Sequence, residues 1–427
     1  MSLALEGLCA ATAFAQTMQM PGMQMPGMQM QEMNPAEMLL MNLSSGTAMN
    51  PAGWPMPMLM KAFDSWNTTF MAQASLDDTQ QSGPRGGDKL YSTNWFMATT
   101  EHHVGDDGAF EFELMLSLEP ATITDRRYPL LFQTGETAFG KPIVNGQHPH
   151  NLIMELGFQY ARSLNENTTL EFYAAPVGDP ALGPVAYPHR ASASELPQAP
   201  ISHHWQDATH ISDDVVTAGI AYKKIKLEAS GFDGSEPNEN RWNIQAGPIN
   251  SWSTRLWFFP GKNWAAQVSA GHLTHPEALE PGDQFRSTAS LEYTKPLAGG
   301  SWSSSLIWGR DHHSATGRNL NSYLLESVVP VRKKNFITGR IELVDKDELF
   351  ADEPDLEQQL DRIYGSTFRI GAYTIGYTRD IAVFRDVETG IGVNIEMYSL
   401  PGAIKPYYGD RPMGGNIFLR LRLKSGG

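Results

Sequence analysis

The chain has 427 residues, of which 41% are hydrophobic and 19% are charged. Its formal net charge of −15 argues against nucleic acid as a partner, because nucleic-acid-binding proteins need a basic surface. A single cysteine, Cys9, excludes a disulfide framework and a cysteine-based zinc site. The 39 glycines and 10 tryptophans are typical of a sheet protein with many turns.

Residues 1–15 are interpreted as a truncated signal peptide. The stretch "LCAATAFAQ" is apolar and ends in Ala13-Phe14-Ala15, the small-x-small pattern that signal peptidase cleaves. No basic residue precedes it and Glu6 interrupts it, so an uncleaved helix start is the alternative.

Residues 16–62 are predicted to form a flexible, methionine-rich periplasmic segment. The repeat Met-Gln-Met-Pro-Gly places proline and glycine at regular intervals, which prevents helix and strand. Thioethers favour copper(I) over zinc or calcium, and the repeat resembles the leaders of exported copper-handling proteins, including outer-membrane copper-resistance proteins. The alternative is a linker that binds nothing. The predicted ligands are Met18, Met20, Met23, Met25, Met28, Met30 and Met33.

A short helix is predicted in the same segment, from Pro35 to about Leu43. Asn34 is a favourable N-cap, and proline suits the first helical position. A periplasmic arm and a small plug are both compatible with this helix.

From about Trp66 the hydrophobic pattern has a period of two. In "AFEFELMLSLE" and "LIMELGFQY" apolar residues alternate with residues that are often charged, which predicts strands. An apolar exterior around a polar, water-filled interior is the arrangement of an outer-membrane barrel. Residues 63–427 are therefore predicted to form an all-β, antiparallel up-and-down transmembrane β-barrel of about 16 strands.

The connections between the predicted strands alternate in length. Short ones such as "VGDDG" and "PGKN" alternate with long ones, including 122–149 and 176–213. This is the pattern of short periplasmic turns and long outer loops. The third outer loop, 176–213, is expected to fold inwards, because packing on the lumen wall would offset the entropy cost of ordering it.

Three blocks of the sequence resemble bacterial outer-membrane β-barrels of the porin type, in a group without an assigned biochemical activity. They are "YPLLFQTGETAFGKPIVNGQHPHNLIMEL", "HRASASELPQAPISHHWQDATHIS" and "YSLPGAIKPYYGDRPMGGNIFLRLRL", and the similarity covers roughly residues 90–424. The blocks carry no catalytic motif. Most such barrels end on an aromatic residue that the assembly machinery recognises, whereas this chain ends "LRLRLKSGG" and Phe418 is the nearest candidate.

The inner face of the predicted barrel is charged. Acids dominate its early strands and arginines its later ones, so walls of opposite sign are expected to face each other across the pore. The predicted pore-lining residues are Glu111, Glu113, Glu155, Glu171, Glu228, Arg255, Arg286, Arg340, Arg369, Arg420 and Arg422.

Most histidines fall in the predicted outer loops. Imidazoles from two loops could hold zinc or copper, and the alternative is that they only make hydrogen bonds. The predicted histidine ligands are His148, His150, His203, His204 and His210.

The sequence therefore predicts a porin-like channel in a Gram-negative outer membrane, for the passive passage of small solutes or ions, with a link to copper or other metals and no required cofactor. Expected partners are lipid, lipopolysaccharide, the barrel-assembly machinery and metal ions, with homo-oligomerisation left open. A non-conducting adhesin or structural barrel is one alternative. An outer-membrane hydrolase that uses Ser202 beside His203 and Asp207 is another, although adjacency in sequence is not a catalytic triad.

The methionine repeat is testable as a peptide. We expect residues 16–33 to compete for copper(I) with a colorimetric chelator under reducing conditions, because the thioethers can surround one soft ion. A control peptide with leucine at each methionine should not compete. Equal competition by the two peptides would show that the repeat is only a linker.

Overall fold

A computed structural model describes residues 33–278, 280–297 and 299–424 of the chain. The interpreted signal peptide and the predicted ligands from Met18 to Met30 lie outside these residues. The strands are β1 (Leu43–Ser45), β2 (Ala48–Met49), β3 (Leu59–Phe63), β4 (Trp66–Gln81), β5 (Asp88–Val104), β6 (Gly108–Leu116), β7 (Tyr128–Ala138), β8 (Lys141–Gln147), β9 (Ile153–Asn165), β10 (Thr168–Gly178), β11 (Ser212–Tyr222), β12 (Ile225–Phe232), β13 (Ser251–Gly261), β14 (Trp264–Leu273), β15 (Gln284–Leu297), β16 (Gly300–His313), β17 (Asn319–Pro330), β18 (Asn335–Lys346), β19 (Phe368–Phe384), β20 (Val387–Ser399) and β21 (Met413–Leu423). The α-helices are α1 (Pro35–Leu40), α2 (Glu119–Thr122), α3 (His203–Gln206), α4 (Pro354–Tyr364) and α5 (Lys405–Tyr408).

Sixteen antiparallel strands, β4 to β6 and β9 to β21, close into one barrel. The last strand returns to the first, because Gly414–Arg422 of β21 pairs with Gln73–Gln81 of β4. The remaining part of β4, Trp66–Phe70, pairs with the short strand β3. The predicted fold class and strand number are confirmed.

The two faces of the barrel wall differ in chemistry. In β18, Ile337, Ile341 and Leu343 lie on the exposed outer face, whereas Arg340 and Glu342 are buried on the inner face. A closed barrel pairs its backbone groups between strands, so its apolar outer face can lie in lipid. The barrel therefore spans a membrane with its polar side chains turned inwards.

Three aromatic side chains on the adjacent strands β14, β15 and β16 form an aromatic belt beside the short turns. The ring centroids of Trp264 and Tyr293 are 4.5 Å apart, and those of Tyr293 and Trp302 are 5.3 Å apart. All three side chains lie on the outer face, where amphipathic rings suit the boundary between lipid and water.

Among the described residues, no helix is both long and apolar enough to span a membrane.

The connections have different lengths at the two ends of the barrel. Only Lys223 and Lys224 join β11 to β12 at the end predicted to be periplasmic. At the other end, residues 117–152 carry the hairpin β7–β8, residues 179–211 form the third outer loop, and residues 347–367 carry α4. The alternation predicted from the sequence is therefore present.

α1 lies before the barrel and begins as the sequence predicts. The Asn34 side chain accepts a hydrogen bond from the backbone N–H of Glu37, whose carboxylate accepts one from the N–H of Asn34, which is a capping box. The helix ends at Leu40 rather than near Leu43. One cause is the Asn42 side chain, which donates to a helix carbonyl at 2.6 Å and favours a turn.

Residues 43–50 follow the helix into the lumen. The backbone N–H of Gly46 donates to Glu155 of β9 at 3.1 Å, and Lys226 of β12 donates to the carbonyl of Thr47 at 2.9 Å. These contacts tie the segment to the inner wall. Residues 43–50, which belong to the segment predicted to be flexible and periplasmic, therefore contact the inner wall, whereas β3 of the same segment pairs with β4.

Candidate functional site

The third outer loop, residues 179–211, crosses the lumen. Most of its residues are buried although it connects two strands at the rim. At the far wall the carbonyl of Trp205 comes so close to Gly309 of β16 that a Cβ there would be 2.0 Å away. Only glycine permits this approach of two backbones. The inward folding expected from the sequence is therefore present.

A buried carboxylate joins this loop to the wall. Glu326 of β17 accepts from Arg190 of the loop at 2.8 Å and from Arg340 of β18 at 2.9 Å. Arg190 also donates to Asp207, further along the loop, at 3.0 Å. Because an unpaired buried charge costs several kcal/mol, these four side chains fix the path of the loop.

Further polar contacts join the loop to the wall. Glu195 pairs with Arg420 and, at 3.0 Å, with Arg422. The Ser202 hydroxyl donates to Glu342 at 2.7 Å. The loop is therefore held at strands β17, β18 and β21, and it divides the lumen.

Most predicted pore-lining residues are on the inner face. They are packed against the third outer loop, the N-terminal segment or each other, and they do not line a wide open channel. The inward residues are Glu111, Glu113, Glu155, Glu171, Glu228, Arg255, Arg286, Arg340, Arg420 and Arg422.

Arg369 is the exception, and its prediction as a pore-lining residue is wrong. It lies on the same face of β19 as the exposed Tyr373, its side chain is 54% exposed, and it pairs with Asp345 at 2.8 Å. Near the rim the inner face of β19 is itself apolar, because Phe368 and Ile370 pack on the inward-folded loops. Alternation of polar and apolar residues therefore predicts the wrong inward face for this end of β19.

The expected walls of opposite sign are largely neutralised. Arg255 pairs with Glu228 on the adjacent strand at 3.0 Å, and Arg286 pairs with Asp311 at 2.9 Å. Two opposite charges within hydrogen-bond distance nearly cancel each other's electric field at the position of an ion that passes further away. The charges of Arg255 and Arg286 are thus balanced by acids beside them.

All five predicted histidine ligands meet between the second and third outer loops. The ring centroid of His203 lies 5.4 Å from that of His204 and 5.3 Å from that of His210. His150 lies 5.4 Å from His210, and His148 lies 5.6 Å from His204. All five are buried, and we call them the histidine cluster.

Acceptors hold three of these rings in a fixed orientation. The Nδ1 atom of His150 pairs with Glu119 at 2.9 Å, and that of His203 pairs with Asp207 at 2.7 Å. The Nδ1 atom of His210 lies 2.7 Å from the carbonyl of Asp207. A metal-binding histidine uses such a partner to present its other nitrogen. The Nε2 atoms of His150 and His210 have no hydrogen-bond partner among the described residues.

The ring nitrogens of the cluster do not yet converge on one point. Within the described part of the chain, Glu280, His313 and Asp347 are the three residues whose possible ligand atoms lie within 4.8 Å of one another. This group lies at the outer end of the barrel. The cluster has the residue types and ring spacing of a metal site, but its rings would have to turn to share an ion.

Burial favours the uncharged form of four histidines of the cluster, His148, His203, His204 and His210. It lowers the pKa of His148 to about 4 and the pKa values of His204 and His210 well below their usual range. Burial also lowers the pKa of His203, although Asp207 acts in the opposite direction. Neutral imidazole is the form that binds metals.

Sequence reasoning missed the acids around the cluster and one further histidine. Glu119 orients His150, and Glu136 of β7 contacts Nε2 of His148 at 2.9 Å. No local pattern identifies these acids, because they reach the cluster only through the folding of residues 117–152. His189 lies in the third loop with its ring centroid 4.4 Å from that of Trp95, and its place in that loop was the only available signal.

The residues of the hydrolase alternative do not form a nucleophile and base. The Ser202 hydroxyl donates to Glu342 at 2.7 Å and to Gln206 at 3.3 Å. The neighbouring His203 is paired with Asp207. A serine nucleophile needs a hydrogen bond to its base, and the described geometry gives Ser202 other partners.

The barrel is similar to solved structures of outer-membrane porins. An anion-selective porin from Comamonas acidovorans gives a TM-score of 0.51 at 11% identity, covering 84% of this chain and 100% of the porin. OmpF of Salmonella typhi, in a complex with daunomycin, gives 0.50 at 7% identity, covering 86% of this chain and 100% of OmpF. No protein-family model and no curated protein matches the sequence. The similarity shows the porin fold, and the protein is a Gram-negative outer-membrane β-barrel.

The lowered histidine pKa values predict acid sensitivity. His148 has a lower pKa in the folded protein than in the unfolded chain, so between about pH 6.5 and pH 4 the unfolded chain binds a proton that the folded protein does not. The free energy of unfolding is therefore largest above about pH 6.5 and falls as the pH is lowered towards 4. We expect His148→Gln to reduce the loss of unfolding free energy between pH 7.5 and 4.5 by about 2 kcal/mol. Urea unfolding in detergent, with a chelator present, measures this difference.

The control is His275→Gln, which replaces an exposed histidine of an outer loop. It should leave the pH dependence of unfolding as in the parent protein. If His148→Gln also leaves it unchanged, the burial of His148 does not make the barrel sensitive to acid.

Proposed function

We propose that the protein is an outer-membrane channel for the passive passage of small solutes or ions. The observation that carries this proposal is the third outer loop, residues 179–211, which lies across a polar lumen and pairs with its wall. A loop in this position selects solutes by size and charge without covalent chemistry. The porin fold agrees with this function.

The adhesin or structural barrel is supported less well. An adhesin needs side chains on its outer loops that a partner can reach. In this chain the third outer loop turns Arg190, Glu195 and Ser202 towards the wall, where all three are buried. These polar residues are therefore committed to the lumen.

The channel should be narrow in this conformation. The wall residues Glu228, Arg255 and Glu326 are almost completely buried, whereas the walls of an open pore face water. Passage of anything larger than a small ion requires movement of the third outer loop or the N-terminal segment. We therefore expect a smaller conductance than that of a wide porin.

We also propose that copper or zinc is among the ions that the lumen handles, through the histidine cluster. Imidazoles that share one tetrahedral ion at about 2.0–2.1 Å have ring centroids about 5 Å apart. The centroids of His203 and His210 are 5.3 Å apart. Rotation of the rings, without a change in the loop backbone, could bring their nitrogens onto one ion.

The expected partners remain part of this proposal. The apolar outer face and the aromatic belt suit lipid and lipopolysaccharide, and insertion would require the barrel-assembly machinery. Phe418, the aromatic residue nearest the end of the chain, is buried on the inner face. Homo-oligomerisation stays open.

Conductance tests the channel and the role of its loop. We expect deletion of residues 180–200 to raise single-channel conductance in planar bilayers at least twofold, because it removes chain from the lumen. A matched deletion of residues 354–364, the largely exposed helix α4, should conduct like the parent. Folding of each variant is checked by the shift of its band on gels before and after heating.

A substitution guards against misfolding of the deletion. Arg190→Gln releases the loop from Glu326 and Asp207 and should increase current fluctuations. If the folded deletion conducts like the parent, the loop does not limit the channel. If no variant conducts, the channel proposal fails.

Metal binding tests the role of the histidine cluster. We expect copper(II) to give an electron paramagnetic resonance spectrum with nitrogen couplings, and the change of His150, His203 and His210 to glutamine should remove them. The control changes three histidines outside the cluster. If the cluster variant binds copper(II) as tightly as the control, the cluster is not a metal site. The control histidines are His272, His275 and His312.

A further inference from the structure

A small cavity lies between the N-terminal segment and the early barrel strands. Methionine side chains of both parts line it, and two more methionines of the wall extend the same packed group. We call these residues the methionine chamber. They are Met41, Met56, Met58, Met60, Met71, Met97, Met115 and Met154.

These methionines interrupt a face that is otherwise polar. On β4 to β6, inward positions next to Met71, Met97 and Met115 are occupied by Thr69, Thr99 and similar residues. Methionine often fills irregular gaps in apolar cores. Here they pack with Val177, Ile211 and Trp95 in one buried cluster, and the thioethers of this cluster come from several strands and from the N-terminal segment.

An irregularity in the strand pairing adds to this group. Met115 pairs with Glu155, but the next residue, Leu116, pairs with Ile153. Met154 is therefore an extra residue, and it is buried against the other methionines. A bulge interrupts the hydrogen-bond ladder and re-aims a side chain. Here it turns inwards a methionine that simple alternation would place on the outer face.

A buried acid lies in the same cavity. Glu113 is 1% exposed, and neither of its carboxylate oxygens has a hydrogen-bond partner among the described residues. None of the residues that line this cavity is a lysine or an arginine. A buried carboxylate requires a neutralising charge. A proton shared with the nearby Glu155 and a bound cation are the two ways to supply it.

We propose that the methionine chamber binds a soft monovalent cation, copper(I) or its chemical analogue silver(I). Thioether sulfurs are the ligands, and Glu113 supplies the compensating charge. Soft thioethers select copper(I), whereas calcium and magnesium prefer oxygen ligands. This inference rests on the proposed function, because the ion would be held in the lumen of the same channel.

The position of the chamber suits such an ion. Trp95 packs against the chamber and also lies beside His189. Ile211, which packs against the chamber, directly follows His210 of the histidine cluster. Residues that adjoin the histidine cluster in sequence or in space therefore also pack against the methionine chamber.

Silver(I) is the probe, because it needs no reductant. The full chain is used with leucine at each methionine of the leading repeat, so that the repeat cannot contribute. We expect silver(I) to shift the methyl resonances of the chamber methionines in nuclear magnetic resonance spectra, and calorimetry gives the affinity. Changing Met71, Met97 and Met115 to leucine, which has a similar volume, should weaken binding at least 30-fold.

Two methionines provide a matched control. Met397 and Met413 lie on the outer face and are 48% and 44% exposed, so their change to leucine should leave silver(I) affinity unchanged. Glu113→Gln keeps the shape of the chamber and removes its charge, and it should weaken binding about tenfold. Heat-modified gel mobility confirms that each variant is folded.

Three results would overturn the proposal: no silver-dependent shift of the chamber methyl groups, binding by the leucine variant equal to that of the control, or binding by Glu113→Gln equal to that of the parent. The last result would indicate that Glu113 shares a proton with Glu155. Potassium chloride conductance of the parent is measured in parallel. A parent that binds silver(I) without conducting would contradict the channel and leave the chamber supported.

Discussion

The interior of this barrel depends on the pairing of charges that have been removed from water. Glu326 lies between Arg190 of the third outer loop and Arg340 of the wall, and each of these ions would be costly to bury alone. Because the loop carries one partner and the wall the other, loop and wall stabilise each other.

This packing gathers imidazoles and thioethers into two groups inside the barrel. Imidazoles gather where the second and third outer loops meet, and thioethers gather where the N-terminal segment meets the early strands. The loop crossing the lumen contributes to both regions, because His210 and Ile211 are consecutive. Movement of this loop would therefore alter the two ligand environments together.

The barrel could be predicted from the sequence because the alternation within each strand is a local pattern. The features that could not be predicted depend on contacts across the lumen. Arg369 was placed on the wrong face because Phe368 and Ile370 are apolar for a reason outside their strand, namely the loops packed on them. The five histidines of the cluster could be singled out by residue type, but Glu119 could not be, since it reaches His150 only through a folded loop. The inner position of Met154 requires a bulge that alternation does not reveal.

The short strand β3 has a consequence for assembly. It folds back on Trp66–Phe70 and so covers the part of β4 that β21 does not reach. An uncovered strand edge offers backbone groups to any other chain, which promotes edge-to-edge aggregation. A hairpin between residues adjacent in sequence closes with little loss of chain entropy, whereas joining β21 to β4 closes a loop of several hundred residues. β3 can thus cover part of the edge of β4 before the barrel closes. Gln73–Gln81 of β4 then stays open to pair with β21.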